Sequence, residues 1–467
     1  MSTATLADAS PWTARHARTT IGMFALAFLF AFEALAVAAL MPRVAAELDG
    51  LAWYPVAFAA PAAASVVALV LAAPAIDRRG PRPAVLVGLV VFCLGVVIAG
   101  LAPTMPLFLL GRLLHGLGGG GVSVALYVVV AQAYPEQLHS RVFAVLTAAW
   151  VLPALVGPVV AASVAHAWGW RWVFLGVPVI AVGAWLLVRD APSRPTGGEP
   201  GAPPARSRLG TAMLAAAGVL AVSVGGQRIL GAWPALVAVG LVTVVLAGRR
   251  LLPPGSWTAR PGLPSVLGAR ACIGTAFAAA EVYVPLLLTL TRGLTLTQAG
   301  WVLTSGAVAW CAGAVLAARV PKLRDEPLRV RLGAGLLTAG VAGFTTVVIP
   351  DVPLLVPALC WAMAGIGIGI AFSTLSVLTL AYSAAGQQAQ ASSALQLNDF
   401  LVQSVVLATG GVVFASVAGH APVAGATVLV VVAALFGLLT FVPAARLRRP
   451  EPREVSISVI PAMEDAA

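Results

Sequence analysis

The sequence is dominated by apolar segments that are long enough to cross a membrane. A transmembrane helix needs about 20 predominantly apolar residues, and this 467-residue chain, 60% hydrophobic and 10% charged, contains fourteen such segments. Soluble globular proteins use only about 45–50% apolar residues. The chain is therefore predicted to fold as an all-α polytopic membrane protein. The segments lie near 20–41, 51–75, 84–102, 106–133, 141–165, 171–188, 209–227, 232–248, 265–290, 298–319, 331–349, 353–380, 394–418 and 422–444.

Two breaks divide the segments into blocks. Residues 193–204 are rich in Pro and Gly and predict a flexible linker, and a second break lies at 253–256. Segments seven and eight are thus predicted to form a hairpin inserted between two six-helix bundles. The predicted organisation is an N-terminal tail 1–19, a bundle 20–188, a linker 189–208, a transmembrane hairpin 209–248, a linker 249–264, a bundle 265–444 and a C-terminal tail 445–467.

The net charge of +11 comes from short loops rather than from one basic face. This distribution argues against nucleic-acid binding and follows the positive-inside rule of membrane proteins. The basic loops are predicted to lie in the cytoplasm with both termini, in a cell inner (plasma) membrane, because they fall on one side of the predicted topology. They contain Arg78, Arg79 and Arg82; Arg189, Arg194, Arg206 and Arg208; Arg249, Arg250 and Arg260; Lys322, Arg324, Arg329 and Arg331; and Arg446, Arg448 and Arg449.

The two bundles carry a weak internal repeat. A shift of 248 or 249 residues superposes three independent features, which predicts two halves of similar structure. The shift relates Gly116, Gly118 and Gly120 to Gly365, Gly367 and Gly369, Glu33 to Glu281, and Asp77 to Asp325.

Arg112 lies in an uninterrupted apolar run of the fourth segment. A lone charge there costs several kcal/mol, so the side chain should face a protein partner or a water-filled cavity. The repeat places Trp361 opposite Arg112, which indicates that the packing of the helices does not require the arginine. Glu33 is predicted at a similar depth, roughly 9–12 Å inside the membrane, so the two side chains can share one cavity.

Three intramembrane acids are candidates for proton coupling together with Arg112. They are Glu33, Glu281 and Asp399. Burial disfavours the charged carboxylate, whereas a nearby arginine favours it, and the balance can place titration close to physiological pH. The alternative for each acid is a hydrogen bond between helices with no functional role.

Other site chemistries find little support. The glycines at 118–121 lack the Lys-Ser/Thr pair of a phosphate-binding loop. The cysteines show no metal or redox spacing, and no histidine has a plausible set of catalytic neighbours in the sequence, so neither a metal, a cofactor nor an enzyme is predicted. The cysteines are Cys93, Cys272, Cys311 and Cys360, and the histidines are His16, His115, His139, His166 and His420.

The turn after the second segment combines charge and conformational freedom. Asp77 and Arg78 can pair with each other or with helix ends, Gly80 permits a positive φ, and Arg82 anchors the inner face. The turn resembles the first signature of the major facilitator superfamily, glycine-x-x-x-aspartate-arginine-x-glycine-arginine-arginine. Asp77, Arg78, Gly80 and Arg82 match this signature, whereas Ala73 and Pro81 depart from it. The resemblance implies a role in conformational switching.

Two further segments resemble signatures of the same superfamily. Arg112 and Gly116 resemble the span-four signature, in which a cavity arginine is linked to proton movement. Gly157 and Pro158 resemble the antiporter signature glycine-proline-x-x-glycine-glycine, with alanines in place of the last two glycines; this proline would bend the fifth helix.

The acid-led segment 32–42, with Glu33 in place of the usual aspartate, is similar to that of fourteen-span drug:proton antiporters. This resemblance implies two pseudo-symmetric six-helix bundles with an inserted hairpin. It also implies a monomer that exports drugs in exchange for protons.

The expected function is proton-coupled export, by alternating access, of amphipathic or lipophilic small molecules, including cationic ones. Candidate substrate contacts are the aromatic rings Trp150, Trp310 and Trp361, with Glu33 and Glu281 for a cationic group. Each ring is alternatively a packing or lipid-facing residue. Two other functions stay open: export of an endogenous metabolite or lipid on the same fold, and, remotely, a membrane-embedded transferase or hydrolase.

Overall fold

The computed structural model describes most of the predicted membrane segments. The described residues are 11–13, 16–50, 54–195, 205–226, 231–294, 296–319, 325–384, 387–417 and 420–448. Four parts of the predicted tails and linkers lie outside the described residues: 1–10, 14–15, 196–204 and 449–467.

The described chain is all-α, as predicted. The helices are α1 (Ala17–Glu47), α2 (Tyr54–Arg79), α3 (Pro81–Leu101), α4 (Met105–Ala133), α5 (Glu136–Trp168), α6 (Arg171–Leu175), α7 (Val177–Val188), α8 (Ala205–Gly226), α9 (Trp233–Leu251), α10 (Leu263–Arg292), α11 (Leu296–Arg319), α12 (Glu326–Phe344), α13 (Leu355–Tyr382), α14 (Gln388–Val417), α15 (Pro422–Leu439) and α16 (Phe441–Ala445). Short 3₁₀ turns occupy Ser256–Thr258 and Thr345–Val348.

The helices agree with the predicted membrane passes. Within the described residues, ten helical stretches are long and apolar enough to cross a membrane. Helices α1, α5, α8 and α14 coincide with four further predicted segments, and α6–α7 and α15–α16 each form one pass. Fourteen passes therefore fit the helix bounds, whereas the domain boundaries given above stay a prediction.

The first helix is longer than predicted. It continues to Glu47, although the apolar segment ends at 41. Side-chain contacts stabilise these extra turns: Arg43 Nε donates to Glu47 Oε1 at 3.0 Å, and Trp170 Nε1 donates to Glu47 Oε2 at 2.7 Å. The indole hydrogen bond, followed by the Arg43 bond, lowers the pKa of the Glu47 carboxyl.

The internal repeat has a direct counterpart in helix packing. In the N-half (α1–α7), α4 lies between α2 and α3; in the C-half (α10–α16), α13 lies between α11 and α12. A Cβ on Gly116 would meet Pro61 of α2, and one on Gly118 would meet the backbone of Phe92 in α3. Gly365 and Gly367 make the equivalent close approaches to α11 and α12. The repeated glycines therefore bring helix backbones into contact.

The inserted hairpin is formed by α8 and α9. A Cβ on Gly218 would approach the Gly240 carbonyl oxygen to 3.0 Å, and a Cβ on Gly240 would lie 2.9 Å from the Gly218 oxygen. The hairpin packs on α2 of the N-half and α14 of the C-half. It thus lies beside the boundary between the two halves.

Several contacts join the two halves at one end of the molecule. This end, where α2 ends and α3 begins near Arg78 and Arg79, is called the basic end. There Gln390 Nε2 of α14 donates to Asp77 Oδ2 at 3.2 Å, and Ser393 Oγ donates to the Leu69 carbonyl oxygen. Buried Leu397 and Leu401 of α14 belong to the same apolar core as the N-half. Polar bonds and apolar packing therefore both connect the halves at the basic end.

The glycine packing predicts opposite results for two alanine substitutions in α4. Gly118→Ala places a methyl group against backbone atoms of Phe92 and Gly88, and overpacking of this kind costs about 1–3 kcal/mol. Gly121→Ala meets no atom within 4 Å and gains helix propensity. Thermal unfolding in detergent should show a lower melting temperature for Gly118→Ala and an equal or higher one for Gly121→Ala. Equal destabilisation by both variants would contradict the packing argument.

Candidate functional site

A cluster of three ionisable residues lies buried between α1 and α4. The Arg112 guanidinium forms a short ion pair with Glu33 Oε1, and the two side chains are 4% and 3% exposed. His115 Nε2 lies 2.9 Å from Glu33 Oε2, and His115 Nδ1 lies 3.2 Å from the Arg112 NH1 nitrogen. The cluster of Glu33, Arg112 and His115 is called the triad.

The sequence of α2 supplies another acceptor for Arg112. Arg112 Nε donates to the Ala57 carbonyl oxygen at 3.1 Å. In a regular helix this oxygen accepts from the N–H four residues later, which here belongs to Pro61, and proline has no N–H. Pro61 therefore leaves the Ala57 oxygen available to the arginine. The same proline meets Gly116, so α2 and α4 approach closely one turn from the triad.

Aromatic rings seal the triad on the side of α3. The Phe92 ring meets His115 edge-on, with centroids 4.9 Å apart, and Phe30 of α1 meets Phe92 with centroids 4.7 Å apart. In such an apolar surrounding an unpaired charge would be very costly. The structure therefore brings together Glu33 and Arg112, two of the predicted residues, in a setting where removing or adding one charge has a large energetic effect.

A second buried ion pair lies in the C-half, beside the boundary with the N-half. Arg270 Nε of α10 lies 3.2 Å from Asp399 Oδ2 of α14. Arg270 NH1 donates to Ser376 Oγ of α13 at 2.6 Å, and NH2 donates to Tyr127 OH of α4 at 3.4 Å. Its guanidinium also stacks over the Phe372 ring. Asp399 is thus part of a separate cluster that connects the C-half to the N-half through Tyr127.

Glu281 does not join either cluster. Its side chain on α10 is half-buried, and no hydrogen bond or ion pair joins it to another residue of the described part of the chain. The proton-coupling residues predicted from the sequence therefore occupy three separate places: Glu33 with Arg112, Asp399 with Arg270, and Glu281 without a protein partner among the described residues.

The three predicted substrate-contact tryptophans have different surroundings. Trp150 of α5 is 55% exposed. Trp361 is fully buried, stacked on Phe277 with centroids 4.7 Å apart, and its Nε1 donates to the Leu303 carbonyl oxygen at 3.3 Å. Trp310 packs edge-on against Phe277, and its buried Nε1 has no hydrogen-bond partner among the described atoms. Of the three, Trp310 combines an aromatic surface with a donor that a ligand can satisfy.

The residues of the first superfamily signature, in the turn between α2 and α3, lie at the basic end. Asp77 is buried and bonded to Gln390 across the halves, whereas Arg78 is exposed and donates to the Pro74 carbonyl oxygen at 3.1 Å. Gly80 has a φ of +79° and lies against Ser193, whose Oγ accepts from the Arg82 backbone N–H at 3.1 Å.

Gly157 is buried within α5, and Pro158 follows it in the same helix. The α5 helix packs on α11 and α13 of the C-half. This predicted signature therefore belongs to a helix at the boundary between the halves.

Sequence reasoning missed His115, Arg270 and Tyr127. His115 follows Arg112 by three residues, a spacing that places both on one helix face, and this signal was available. Arg270 lies seven residues after the start of α10. In the sequence it therefore looks like one of the basic residues that flank the end of a membrane segment. No local signal singles out Tyr127, whose partners lie far away in sequence.

A family model of the Major Facilitator Superfamily matches residues 23–407. The chain belongs to this superfamily. The predicted resemblance is thereby confirmed, and the fold of two helical halves is that of a polytopic membrane transporter.

Curated relatives of this superfamily member include efflux proteins. A probable multidrug-efflux transporter of Mycobacterium tuberculosis (strain ATCC 25618 / H37Rv) is 28% identical over 394 residues, which cover 80% of this chain and 83% of the relative. The multidrug resistance protein MdtL of Escherichia coli O17:K52:H18 is 27% identical over 165 residues, which cover 34% of this chain and 42% of the relative.

Solved structures show the same fold at low sequence identity. The human organic anion transporter TETRAN matches with a TM-score of 0.67 and 16% identity over 91% of this chain and 99% of its own. A proton:xylose symporter of the superfamily matches with a TM-score of 0.67 and 14% identity over 91% of this chain and 94% of its own. These likenesses show that the chain shares the fold of these structures.

The buried pair predicts strong coupling between Glu33 and Arg112. Arg112→Gln leaves the Glu33 charge without its main partner and should cost about 3–5 kcal/mol. The double variant Glu33→Gln/Arg112→Gln should lose much less than the sum of the single variants, because it leaves no unpaired charge. Unfolding free energies in detergent or lipid measure this double-mutant cycle.

The control for this cycle is the exposed pair Arg18 and Asp190, whose side chains are 63% and 58% exposed. Its cycle should give no more than about 1 kcal/mol. A coupling energy for Glu33 and Arg112 as small as that of the control would contradict the structure of the triad.

Proposed function

We propose that this protein is a proton-coupled secondary active exporter that moves amphipathic or lipophilic small molecules, including cationic ones, by alternating access. The observation that carries the proposal is the buried Glu33–Arg112 pair in the N-half. The similarity to a probable multidrug-efflux transporter and to a multidrug resistance protein supports export as the direction of transport.

Protonation of Glu33 changes the charge of a buried site. A neutral Glu33 no longer attracts Arg112, whose charge then has to be satisfied elsewhere. Because Glu33 belongs to α1 and the other Arg112 acceptor, Ala57, belongs to α2, the change alters the contacts among three helices of one half. A proton entering from the outside can in this way favour one arrangement of the halves over the other.

The C-half offers the groups for a substrate. Trp310 and Phe372 meet edge-on with centroids 5.3 Å apart, which provides an aromatic surface of the kind that lipophilic ligands use. The free Trp310 Nε1 can donate to a polar atom of the substrate. Glu281, without a protein partner among the described residues, is the carboxylate available to a cationic group. In this proposal the substrate site also includes the exposed Trp150 of α5, in the N-half, and the buried Trp361 of α13.

The proposal includes the surroundings of the protein. The transporter lies as a monomer in the cell inner (plasma) membrane, with both termini in the cytoplasm. The basic loops support this orientation, because Arg and Lys concentrate on the cytoplasmic side of membrane proteins. The basic end is then the cytoplasmic end, and the contacts of Asp77 and Ser393 hold it closed to the cytoplasm.

Glu33→Gln should abolish transport driven by a pH gradient while leaving insertion and folding intact. The amide keeps a hydrogen bond to Arg112 but cannot release a proton. The measurement is uptake of a lipophilic cationic dye into inverted vesicles or proteoliposomes after an imposed pH gradient. Undiminished gradient-driven transport by Glu33→Gln would defeat the proposal.

Asp190→Asn is the matched control for Glu33→Gln, because it removes a carboxylate that is 58% exposed and outside the triad. It should transport like the unmodified protein. Substrate-driven exchange without a gradient should survive in Glu33→Gln if only the coupling is lost.

Alternating access predicts that a link across the basic end stops transport. Cysteines at positions 77 and 390, introduced by Asp77→Cys and Gln390→Cys in a chain whose four native cysteines are changed to alanine, lie on side chains in contact. A short bis-methanethiosulfonate reagent should join them and reduce transport at least tenfold, and a reducing agent should restore it.

The first control for this experiment is the same double-cysteine protein before cross-linking. The second control is each single-cysteine protein treated with the reagent. These samples should show equal transport before and after reduction. Full transport by the quantitatively cross-linked protein would rule out opening of the basic end as a step of the cycle.

A further inference from the structure

His115 uses both ring nitrogens within the triad. Nδ1 lies 3.2 Å from the Arg112 NH1 nitrogen, and Nε2 lies 2.9 Å from Glu33 Oε2. A guanidinium nitrogen can only donate, whereas an ionised carboxylate can only accept. The ring therefore has to accept at Nδ1, and the proton of the neutral ring then lies on Nε2, the nitrogen that faces the carboxylate.

This arrangement defines one protonation state of His115. The state is the neutral imidazole with its proton on Nε2, because an imidazolium would place an N–H of Nδ1 against the N–H groups of Arg112. The triad then contains one negative, one positive and one neutral side chain. Its charges balance, as a buried site of this kind requires.

His115 is also the most accessible member of the triad. Its side chain is 12% exposed, against 3% for Glu33 and 4% for Arg112. Arg112 covers Glu33 Oε1, and His115 covers Oε2. A proton that reaches the carboxylate on the His115 side therefore passes the imidazole.

We propose that His115 relays the proton to Glu33 and in the same step releases Arg112 from the triad. The inference rests on the proposed proton-coupled function of this site and names the residue through which the proton enters and leaves. Histidine suits this role because its ring can accept a proton on one nitrogen and give one up from the other.

The relay step balances in protons. The hydrogen bond from Arg112 NH1 to Nδ1 opens, and a hydronium ion gives its proton to Nδ1 and becomes water. The Nε2 proton passes to Glu33 Oε2, and the products are a neutral carboxylic acid and a neutral imidazole with its proton on Nδ1. No covalent bond other than these N–H and O–H bonds changes. The reverse sequence unloads the carboxyl group.

The step removes two of the acceptors of Arg112 at once. Glu33 becomes neutral, and His115 Nδ1 changes from an acceptor into a donor that faces the guanidinium. Arg112 retains the Ala57 carbonyl oxygen of α2, so its charge is drawn away from α1. One proton thus weakens the contact between α1 and α4 in two ways: it neutralises Glu33, and it turns His115 Nδ1 from an acceptor into a donor.

The surroundings of His115 contain few competing groups. From α1 it faces Glu33, from its own helix it faces Arg112, and from α3 it faces the uncharged ring of Phe92. Glu33 and Arg112 are thus the charged groups in contact with the ring among the described residues. The pH dependence of the step therefore belongs to the triad as a unit.

His115→Gln tests the relay. The glutamine amide can donate to Glu33 and accept from Arg112, but it cannot take up a proton. In proteoliposomes that report internal pH with a trapped dye, substrate exchange without a gradient should stay within about twofold of the unmodified protein. Gradient-driven transport and the coupled proton flux should fall at least tenfold, and the pH profile of transport should flatten. His166→Gln, at an exposed histidine of α5, is the matched control and should behave like the unmodified protein.

The outcomes separate this inference from the proposed function. Loss of coupling in Glu33→Gln with normal coupling and pH profile in His115→Gln overturns the relay and leaves the exporter in place. Normal coupling in Glu33→Gln overturns the exporter mechanism itself. Equal loss of exchange and gradient-driven transport in His115→Gln assigns the ring a structural role and also overturns the relay.

A measurement on the unmodified protein gives an independent test. Nitrogen-15 NMR of histidine-labelled protein distinguishes the two neutral tautomers, and single variants of His16, His139, His166 and His420 leave the His115 signal to be assigned. At high pH the signal should report a proton on Nε2 and none on Nδ1, and lowering the pH should change the state of both nitrogens. A proton on Nδ1 at high pH would refute the relay.

Discussion

The ion pair between Glu33 and Arg112 is the interaction on which the N-half depends. Two opposite charges in an apolar interior are tolerated only when they are paired and their remaining hydrogen-bonding groups are satisfied. The chain places two further groups beside the pair: the His115 imidazole, whose Nε2 lies 2.9 Å from Glu33 Oε2, and the Ala57 carbonyl oxygen, which accepts from Arg112 Nε. Each of these groups can be traced to the sequence: the i, i+3 spacing of Arg112 and His115, and the missing N–H of Pro61.

The glycine contacts explain how helices come close enough for these bonds. Gly116 and Gly118 let α4 lie directly on α2 and α3, which fixes the depth of Arg112 against the start of α2. The C-half repeats the contacts with Gly365 and Gly367 but replaces the arginine by Trp361, which stacks on Phe277. The shared backbone packing therefore supports an ionic site in one half and an aromatic cluster in the other.

The sequence predicted the elements of the fold better than their mutual contacts. Apolar length predicted the membrane passes, and the 249-residue shift predicted the equivalent packing of α4 and α13, because both depend on local composition and glycine spacing. The meeting of Glu33 with Arg112 followed from depth along their helices. The helix α1 extends to Glu47, so Glu33 lies near the middle of this helix.

The contacts that sequence reasoning missed depend on the rotation of distant helices about their axes. Asp399 was recognised as an intramembrane acid, but its partner Arg270 lies on α10 and closes a network with Tyr127 of the other half. No periodicity in a single segment specifies which face of α14 meets which face of α10. The spacing of His115 from Arg112 places both on one face of α4, but it does not specify the contact of His115 with Glu33, 82 residues earlier in the chain.

The boundary between the halves differs in kind from the contacts inside each half. At the basic end the halves share side-chain hydrogen bonds such as that of Gln390 with Asp77, and water can take the place of either partner when such a bond opens. Inside each half, glycines bring the backbones of neighbouring helices into direct contact. Parting those helices would lose close-packed van der Waals contacts that water does not replace. Side-chain contacts, polar and apolar, thus join the two halves, whereas direct backbone contacts at the glycines hold the helices within each half, so parting the halves disturbs less of the packing than parting helices within one half.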